Sequence, residues 1–299
     1  MKTTTQEKIM LTEVLHPSAD TYLGAVEYVM QFGTDATGKR RARCPFCMRH
    51  AVEPQIEDGH ANGFVHRERT TSSLCPLVTQ SAQPLALRIA HERNATWHRR
   101  HRAAFIEQWA AHYRLMRDLV PTLTVDRLIG LVSYADVVSL WSHPALVSEQ
   151  VAYVLLALGA LIAEGGDTAH MNWVRFVFDG TVRSIDDLWT GRAVAPRLFR
   201  IRYRTESVSK PPMARDIIAC DEVRFEALVA DPHAHGVSVH ELARFNAFVR
   251  GGDGLGLGDE RKEESSGVFP DPRVAELQSL ESYAVSTMRA YARKRGRTA

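Results

Sequence analysis

Short stretches of apolar and β-branched residues near the N-terminus are typical of β-structure. Residues 21–33 are rich in β-branched and aromatic side chains and end at Gly33, which predicts a strand followed by a turn. Residues 52–56 and 64–66 are separated by the turn-forming pairs Asp58-Gly59 and Asn62-Gly63. These pairs predict a short β-hairpin in this part of the chain.

From residue 84 onward the pattern becomes helical. Residues 86–116 have helical spacing, and Thr124 and Pro144 are residue types that begin helices. The apolar run at 151–163 lies between Glu149 and Glu164 and is shorter than the roughly 20 residues that cross a bilayer. We therefore expect a buried core helix there.

Two later segments have strand-like patterns. Residues 173–178 fit either a strand or the end of a helix capped at Asp167, and the apolar spacing does not distinguish them. Residues 198–204 alternate strictly, with Phe199, Ile201 and Tyr203 between arginines. This alternation predicts a strand with three guanidinium groups on one face.

The C-terminal region has a different composition. Residues 251–270 are rich in glycine and charged residues, which is typical of a flexible linker. Asp271-Pro272 then fits the start of a final helix, which is basic after Glu281. The sequence thus predicts a helix-dominated α+β protein with a small N-terminal β module (1–83), a mainly helical body with a few strands (84–250), a linker (251–270) and a basic amphipathic helix (271–299).

The composition is that of a globular protein. With 299 residues, of which 45% are hydrophobic, the chain is large enough for two domains. A net charge of +2 creates no global attraction for polyanions, so any contact with nucleic acid would come from a local basic cluster. Residues 1–10 contain no apolar segment after a basic start, which predicts a cytoplasmic protein without a secretory signal and without a membrane partner.

Three of the four cysteines lie in one short stretch, in the sequence Cys44-Pro-Phe-Cys47 and at Cys75. Cysteines with this spacing can direct both sulfurs at one ion, and a later histidine and cysteine can complete a four-ligand shell with no open position. A reducing cytosol also favours metal over disulfide, and we interpret the fourth cysteine, Cys220, as a small core residue. The predicted ligands of one structural Zn²⁺ are Cys44, Cys47, His66 and Cys75.

The histidine ligand has two competitors in the same segment, His50 and His60. We prefer His66 because the apolar residues before it suggest a strand that would hold the ring in place. The alternatives stay open at the level of sequence.

The cysteine segment resembles the N-terminal zinc module of CoiA-like competence proteins, in which a Cys-x-x-Cys pair precedes a Phe-x-His motif. The resemblance covers about residues 20–100 and rests on Cys44-Pro-Phe-Cys47, on 63–67 and on 73–77. It implies a role in DNA uptake, mobile-element or defence processes. In that family a nuclease with an Asp and a Glu-x-Lys motif follows, but here the matching string, 259–262, falls in the glycine-rich segment. No nuclease half is visible.

Three basic clusters are candidate contacts for nucleic acid. The cluster at 88–102 combines arginines with Trp97, on which a base can stack, although a solvated helix face with the tryptophan in the core is an alternative. The other clusters are the arginine face of the strand at 198–204 and the basic end of the chain. The predicted contact residues are Arg88, Arg93, Trp97, Arg99, Arg100, Arg102, Arg200, Arg202, Arg204, Arg293, Lys294 and Arg295. Whether the clusters share one face stays open.

Sequence motifs of common enzyme classes are absent: there is no P-loop, no nucleophile elbow and no His-Glu-x-x-His. We interpret His233, His235 and His240 as belonging to a surface loop and the start of a helix capped at Ser238. No small-molecule substrate is evident. We therefore expect a non-catalytic zinc-stabilised adaptor associated with nucleic acid. A protein–protein interaction scaffold and a diverged metal-dependent enzyme are the alternatives.

Overall fold

The structure is a computed structural model that describes residues 10–66, 75–77, 93–159, 161–166, 170–182, 184–189, 195–205, 212–228 and 236–252. The chain forms two compact units, Met1–Gly252 and Asp253–Ala299, and every described residue belongs to the first. The predicted C-terminal helix and nearly all of the predicted linker lie outside the described residues, as does the predicted boundary at 83–84. The domain boundaries therefore stay predictions.

Within the described residues, the N-terminal part contains five short strands, one α-helix and a short 3-10 helix at Gly38–Arg40. Strands β1 (Met10–Leu11), β5 (His60–His66) and β4 (Val52–Glu57) form an antiparallel sheet, and β2 (Glu13–Leu15) pairs with β3 (Tyr22–Gly24). The β4–β5 turn has positive φ at Asp58 (49°) and Gly59 (79°). Both values suit the two-residue hairpin turn, so the predicted hairpin is confirmed.

The predicted strand over 21–33 is wrong for most of its length. Only β3 is extended, and α1 (Ala25–Phe32) follows at once. Tyr28, Val29 and Phe32 pack into the core at helical spacing from Ala25, and burial of that face outweighs the β-propensity of single residues. Gly33, with φ of 79°, ends the helix by donating its N–H to the oxygen of Val29.

The helical body contains α2 (Ala95–Glu107), α3 (Trp109–Leu119), α4 (Val125–Val137), α5 (Ser148–Leu158) and α6 (Val239–Gly252). The predicted cap at Thr124 is confirmed, because its hydroxyl accepts the N–H of Arg127 at 3.2 Å. The predicted helix start at Pro144 is wrong by four residues. The predicted core helix is confirmed as α5, whose residues from Val151 to Ala157 are all buried.

A four-stranded antiparallel sheet lies between the N-terminal part and the helices. It consists of β6 (Ile162–Gly166), β7 (Met171–Phe178), β8 (Leu198–Thr205) and β9 (Ile217–Val223), in that order. The apolar run predicted as one helix over 151–163 therefore ends in a strand. Residues 173–178 also form a strand, so the alternative that they end a helix capped at Asp167 is wrong. Asp167 itself lies outside the described residues.

The two faces of this sheet belong to different cores. Val174, Phe176 and Phe178 of β7 pack against the helices, whereas Val177 of β7 and Phe199 of β8 pack against the N-terminal part. Because both faces are covered, β7 has apolar residues at consecutive positions, which is why its period was ambiguous. The described residues thus form a mixed α+β fold. Helix dominance and a basic C-terminal helix stay predictions, and no helix among the described residues is long and apolar enough to span a membrane.

Candidate metal centre

The four predicted ligands come together at the open end of the β4–β5 hairpin, opposite its turn. Cys44 and Cys47 precede β4, and His66 is the last residue of β5. The antiparallel register places His66 opposite Val52, at the start of β4 and close to the cysteine pair. Cys75 lies in the short described segment 75–77 and completes the group.

The backbone around the cysteine pair forms a tight knuckle. Cys44 donates its N–H to the oxygen of Arg49 at 2.8 Å, and Met48 donates its N–H to the oxygen of Cys44 at 2.9 Å. Met48 has a φ of 59°, a left-handed conformation that closes this turn. Cys44 and Cys47 are thereby held so that both sulfurs face the same point.

Two of the distances between ligand atoms match those of a tetrahedral metal site. All four ligand atoms lie within 4.8 Å of one another. The sulfurs of Cys44 and Cys75 are 3.7 Å apart, and the sulfur of Cys47 is 3.5 Å from Nε2 of His66. A tetrahedral ion with metal–sulfur bonds of about 2.3 Å would separate two sulfurs by about 3.8 Å and a sulfur from a nitrogen by about 3.6 Å. A disulfide would need a separation of about 2.05 Å, so these cysteines are free thiols placed for a metal.

The two competing histidines are engaged elsewhere. Nδ1 of His50 lies 2.6 Å from the oxygen of Arg41, and Nδ1 of His60 lies 2.9 Å from the oxygen of Asp58 in the hairpin turn. Neither belongs to the cluster. The geometry therefore selects His66, as the sequence analysis preferred.

The thiols of the cluster differ in protonation. Burial raises the pKa of Cys44 and of Cys75. The pKa of Cys47 is instead lowered, because the thiols of Cys44 and Cys75 hydrogen-bond to its sulfur, with burial opposing them. Binding of a metal cation would deprotonate the remaining thiols, since thiolate is the form that coordinates.

The knuckle is attached directly to the central sheet. Gly180, two residues after β7, donates its N–H to the oxygen of Pro45 at 2.6 Å. The ring of Phe46 lies 4.8 Å from the ring of Phe199 on β8. A methyl group on Gly180 would be 3.0 Å from the oxygen of Phe46, so a larger residue would push the knuckle away from the sheet. The metal ligands therefore fix the N-terminal part where it meets the sheet.

A buried polar network forms a second attachment that the sequence analysis missed. Asp179 is fully buried and accepts the hydroxyl of Tyr22 and the N–H of Arg197, both at 3.1 Å. The guanidinium of Arg197 lies 3.9 Å from the centre of the Tyr22 ring and forms ion pairs with Glu13 and Glu222. The pair Asp179-Gly180 after an apolar run could have indicated the turn, but not its partners.

No protein-family model, no curated protein and no solved structure matches this chain. The interpretation of the site therefore rests on its own geometry.

The basic cluster in α2 and just before it contains both exposed and ion-paired arginines. Arg93, Arg99 and Arg100 are exposed, whereas Arg102 pairs through Nε with Asp136 at 3.0 Å. Trp97 is half-buried, its ring stacked 5.3 Å from the His101 ring and lying beneath the guanidinium of Arg100. A base could stack on this ring only by replacing one of those contacts. Arg88 lies outside the described residues.

The arginines of β8 lie on one face, as predicted, but two of them are ion-paired. Arg200 pairs with Glu164, and Arg202 pairs with Asp221 at 3.1 Å. Arg204 is exposed and donates through Nε to Asn172 at 3.4 Å. Because carboxylates neutralise two of the three arginines, this face has less positive charge available to bind phosphate than the sequence suggested. The third cluster, at Arg293, Lys294 and Arg295, lies outside the described residues.

The histidine-rich segment offers no cluster of metal ligands within the described part of the chain. His240 is exposed in the first turn of α6, and His233 and His235 lie outside the described residues. The predicted cap at Ser238 is confirmed, since its hydroxyl accepts the N–H of Glu241 at 3.2 Å. Cys220 is partly buried and packs against the core beside the module.

Proposed function

We propose that this protein is a non-catalytic, zinc-stabilised adaptor that associates with nucleic acid. The observation that carries the metal part is the group of three thiols and one imidazole whose ligand atoms all lie within 4.8 Å of one another. Three sulfur ligands favour zinc over the hard cations Mg²⁺ and Ca²⁺. One Zn²⁺ with a structural role is the cofactor.

The environment of the site supports a structural metal rather than a catalytic one. Cys44 and Cys75 are fully buried, and His66 is 6% exposed. Four protein ligands saturate the usual coordination of structural zinc, whereas catalytic zinc keeps one position for water or substrate. Binding energy at such a site contributes to folding, because the complete ligand set exists only in the folded state.

The nucleic-acid part of the proposal rests on exposed arginines in α2 and just before it. Arg93, Arg99 and Arg100 have no carboxylate partner among the described residues and extend into solvent. Exposed arginines of this kind can contact phosphates and release the counterions that surround nucleic acid. The ion-paired Arg102, Arg200 and Arg202 would contribute less, because binding phosphate would first break an existing pair.

The cellular process is proposed from the resemblance to CoiA-like competence proteins. That resemblance implies a role in DNA uptake, mobile-element or defence processes. A zinc-stabilised module fits this role, since it contributes a rigid shape rather than chemistry.

The metal part is tested by measuring the zinc content of the purified protein together with its thermal stability. We expect one zinc per chain, and removal by a strong chelator should lower the melting temperature substantially. A protein that contains no zinc and does not bind added zinc would refute the metal centre. Zinc that leaves without loss of structure would favour the alternative of a metal-dependent enzyme.

The nucleic-acid part is tested by fluorescence-polarisation binding of single-stranded and duplex DNA from about 50 to 300 mM salt. A triple variant, Arg93→Gln, Arg99→Gln and Arg100→Gln, should weaken binding and reduce the slope of log affinity against log salt by about 2.7 for duplex DNA if each arginine contacts one phosphate. The matched control, Arg200→Gln with Arg202→Gln, should change binding much less. Equal losses in both variants, or no binding by the zinc-loaded protein at low salt, would refute this surface.

A protein–protein scaffold is the second candidate, and an apolar surface on α1 favours it. Met30 is 82% exposed and Val26 is 62% exposed, one turn apart on the same helix. A shallow groove lies along this face, lined by Gly24, Ala25, Val26, Glu27, Met30 and Gln31. A partner held here would bind through apolar contacts, so its affinity would change little with salt and would fall in the variant Met30→Glu.

A further inference from the structure

One charged side chain lies in the middle of the central sheet. Arg175 is at the centre of β7, is only 7% exposed, and is directly opposite Ile201 of β8, which in turn is opposite Cys220 of β9. This row lies on the face of the sheet that packs against the N-terminal part, since Ile201 belongs to that core. No sequence motif assigned a role to Arg175, although an arginine within an apolar run indicates a buried charge.

Burying this cation costs free energy that its visible contacts only partly offset. Among the described residues, Arg175 interacts electrostatically with Tyr203 and has no carboxylate partner, and its Nε has no hydrogen-bond partner. A guanidinium without an anionic partner is among the most unfavourable groups to bury. Burial accordingly lowers the pKa of Arg175, and the interaction with Tyr203 only opposes this.

The acidic groups nearest to this face are already engaged with other residues. Asp179 accepts hydrogen bonds from Tyr22 and from the backbone of Arg197. The carboxylates of Glu13 and Glu222 pair with the side chain of Arg197. Among the described residues of this core, the cysteines of the proposed metal centre are groups that a bound metal would make anionic.

Tyr203 connects the arginine to that group. Its side chain is buried in the same core as Cys44 and Cys75, and it lies one row along the sheet from Arg175. Burial raises the pKa of Tyr203, Arg175 opposes the rise, and Cys220 and then Cys75 add to it, so the phenol interacts with Arg175 and with a ligand of the metal centre. A phenol oxygen can accept from a guanidinium and still donate its own proton to a second acceptor.

The charges balance when zinc is bound. Three thiolates, one divalent cation and one neutral imidazole leave a single net negative charge, and a guanidinium carries a single positive charge. We propose that Arg175, acting through Tyr203, is the buried counter-charge of the metal centre and increases its affinity for zinc. This inference rests on the proposed zinc site and assigns a positioning and electrostatic role to two residues outside the ligand set.

The test compares metal binding by the full-length wild type and by Arg175→Met, Arg175→Lys and Tyr203→Phe. Partners outside the ligand shell typically change metal affinity by about 10- to 100-fold, and we expect a loss of this size for Arg175→Met. Arg175→Lys should recover most of the loss because it keeps the charge. Tyr203→Phe should show a smaller loss, since the ring remains and only the hydroxyl is removed.

A spectroscopic measurement separates charge from packing. In protein loaded with Co²⁺, removal of a nearby cation should move the thiolate-to-cobalt charge-transfer band of Arg175→Met to longer wavelength, because the thiolate electrons become easier to remove. Val177→Ala shortens a buried neighbour on the same face and should lower stability without moving the band. Arg202→Met removes an arginine from the other face of the sheet and should leave both affinity and band position unchanged.

The outcomes distinguish this inference from the metal proposal itself. If the wild type binds no zinc or cobalt, the proposed metal centre is wrong and the counter-charge falls with it. If the wild type binds one metal ion and Arg175→Met binds it with the same affinity and band position, only the counter-charge is refuted. A band shift in Arg175→Met that Arg175→Lys reverses would support it.

Discussion

Gly180→Ala tests whether the metal-binding knuckle is held against the central sheet. Gly180 donates its N–H to the oxygen of Pro45 at 2.6 Å, the shortest link between the knuckle and the turn after β7. A methyl group at this position would lie 3.0 Å from the oxygen of Phe46, 3.1 Å from the oxygen of Pro45 and 2.7 Å from Cγ of Met48. The methionine side chain can turn away, but the two oxygens belong to the backbone of the knuckle.

The expected loss of stability comes from the contacts with the two backbone oxygens, which cannot turn away as the Met48 side chain can. Adding a methyl group to a closely packed site typically costs about 1–3 kcal/mol, and here relief requires the knuckle to move away from the sheet. A cost of about 2 kcal/mol that falls only on the metal-bound state would lower the apparent zinc affinity by about 30-fold. We therefore expect Gly180→Ala to lower both the free energy of unfolding and the zinc affinity.

Gly130→Ala is the matched control. Gly130 lies within α4, and a methyl group there would meet no atom within 4 Å. Alanine is a better helix former, so this variant should gain about 0.5–1 kcal/mol and keep its zinc affinity. Urea unfolding of the zinc-loaded protein and competition with a chelator measure the two quantities. Wild-type stability and affinity in Gly180→Ala would show that the knuckle does not lie against this turn.

Three further predictions concern the helical body and the ligand set. Burial lowers the pKa of His112 from its ordinary value of 6.5 to about 4, and neither ring nitrogen has a partner among the described residues. The unfolded chain therefore binds more protons between these values, so stability is complete above pH 6.5 and should fall by up to about 3 kcal/mol as the pH approaches 4. His112→Leu should flatten this part of a curve of unfolding free energy against pH, and an unchanged curve would contradict the assignment. Asn94→Ala should lower the free energy of unfolding in urea by about 1 kcal/mol, because Oδ1 of Asn94 accepts the N–H groups of Thr96 and Trp97, both at 3.0 Å. Asn94→Asp should retain the cap. Equal stability of the wild type and both variants would refute the role of this cap. Cys47→Ser should reduce zinc affinity by more than the roughly 10- to 100-fold that is typical of residues outside the ligand shell. Cys220→Ser should not cause a loss of that size. Equal effects of the two variants in a zinc competition assay would argue against the ligand set.

Local sequence patterns predicted the features that depend on interactions between residues close together in the chain. The spacing of Cys44 and Cys47, the turn pair Asp58-Gly59 and the cap at Thr124 each depend on atoms a few residues apart. The strict alternation of β8 likewise predicted which side chains share a face. For the same reason the ligand set could be predicted before the fold, because the hairpin that returns His66 to the knuckle is itself a local structure.

Sequence patterns did not predict the secondary structure where packing against distant parts of the chain decided it. Residues 25–32 became α1 because one helical face is buried in a core that sequence spacing does not show. The period of β7 was ambiguous because helices cover one face and the N-terminal part covers the other. In both cases the burial of a side chain depends on residues that are far away in the sequence.

The chain by itself determined that three cysteines and a histidine can hold one metal, and that arginines line one face of β8. Tertiary structure decided what surrounds them: Glu164 and Asp221 neutralise two of those arginines, while Gly180 leaves room for the knuckle against the sheet. It also placed Arg175 in the same core as the metal ligands. Charge compensation and close approach join atoms separated by many residues, so they depend on the folded arrangement, whereas ligand type and turn chemistry are encoded in neighbouring residues.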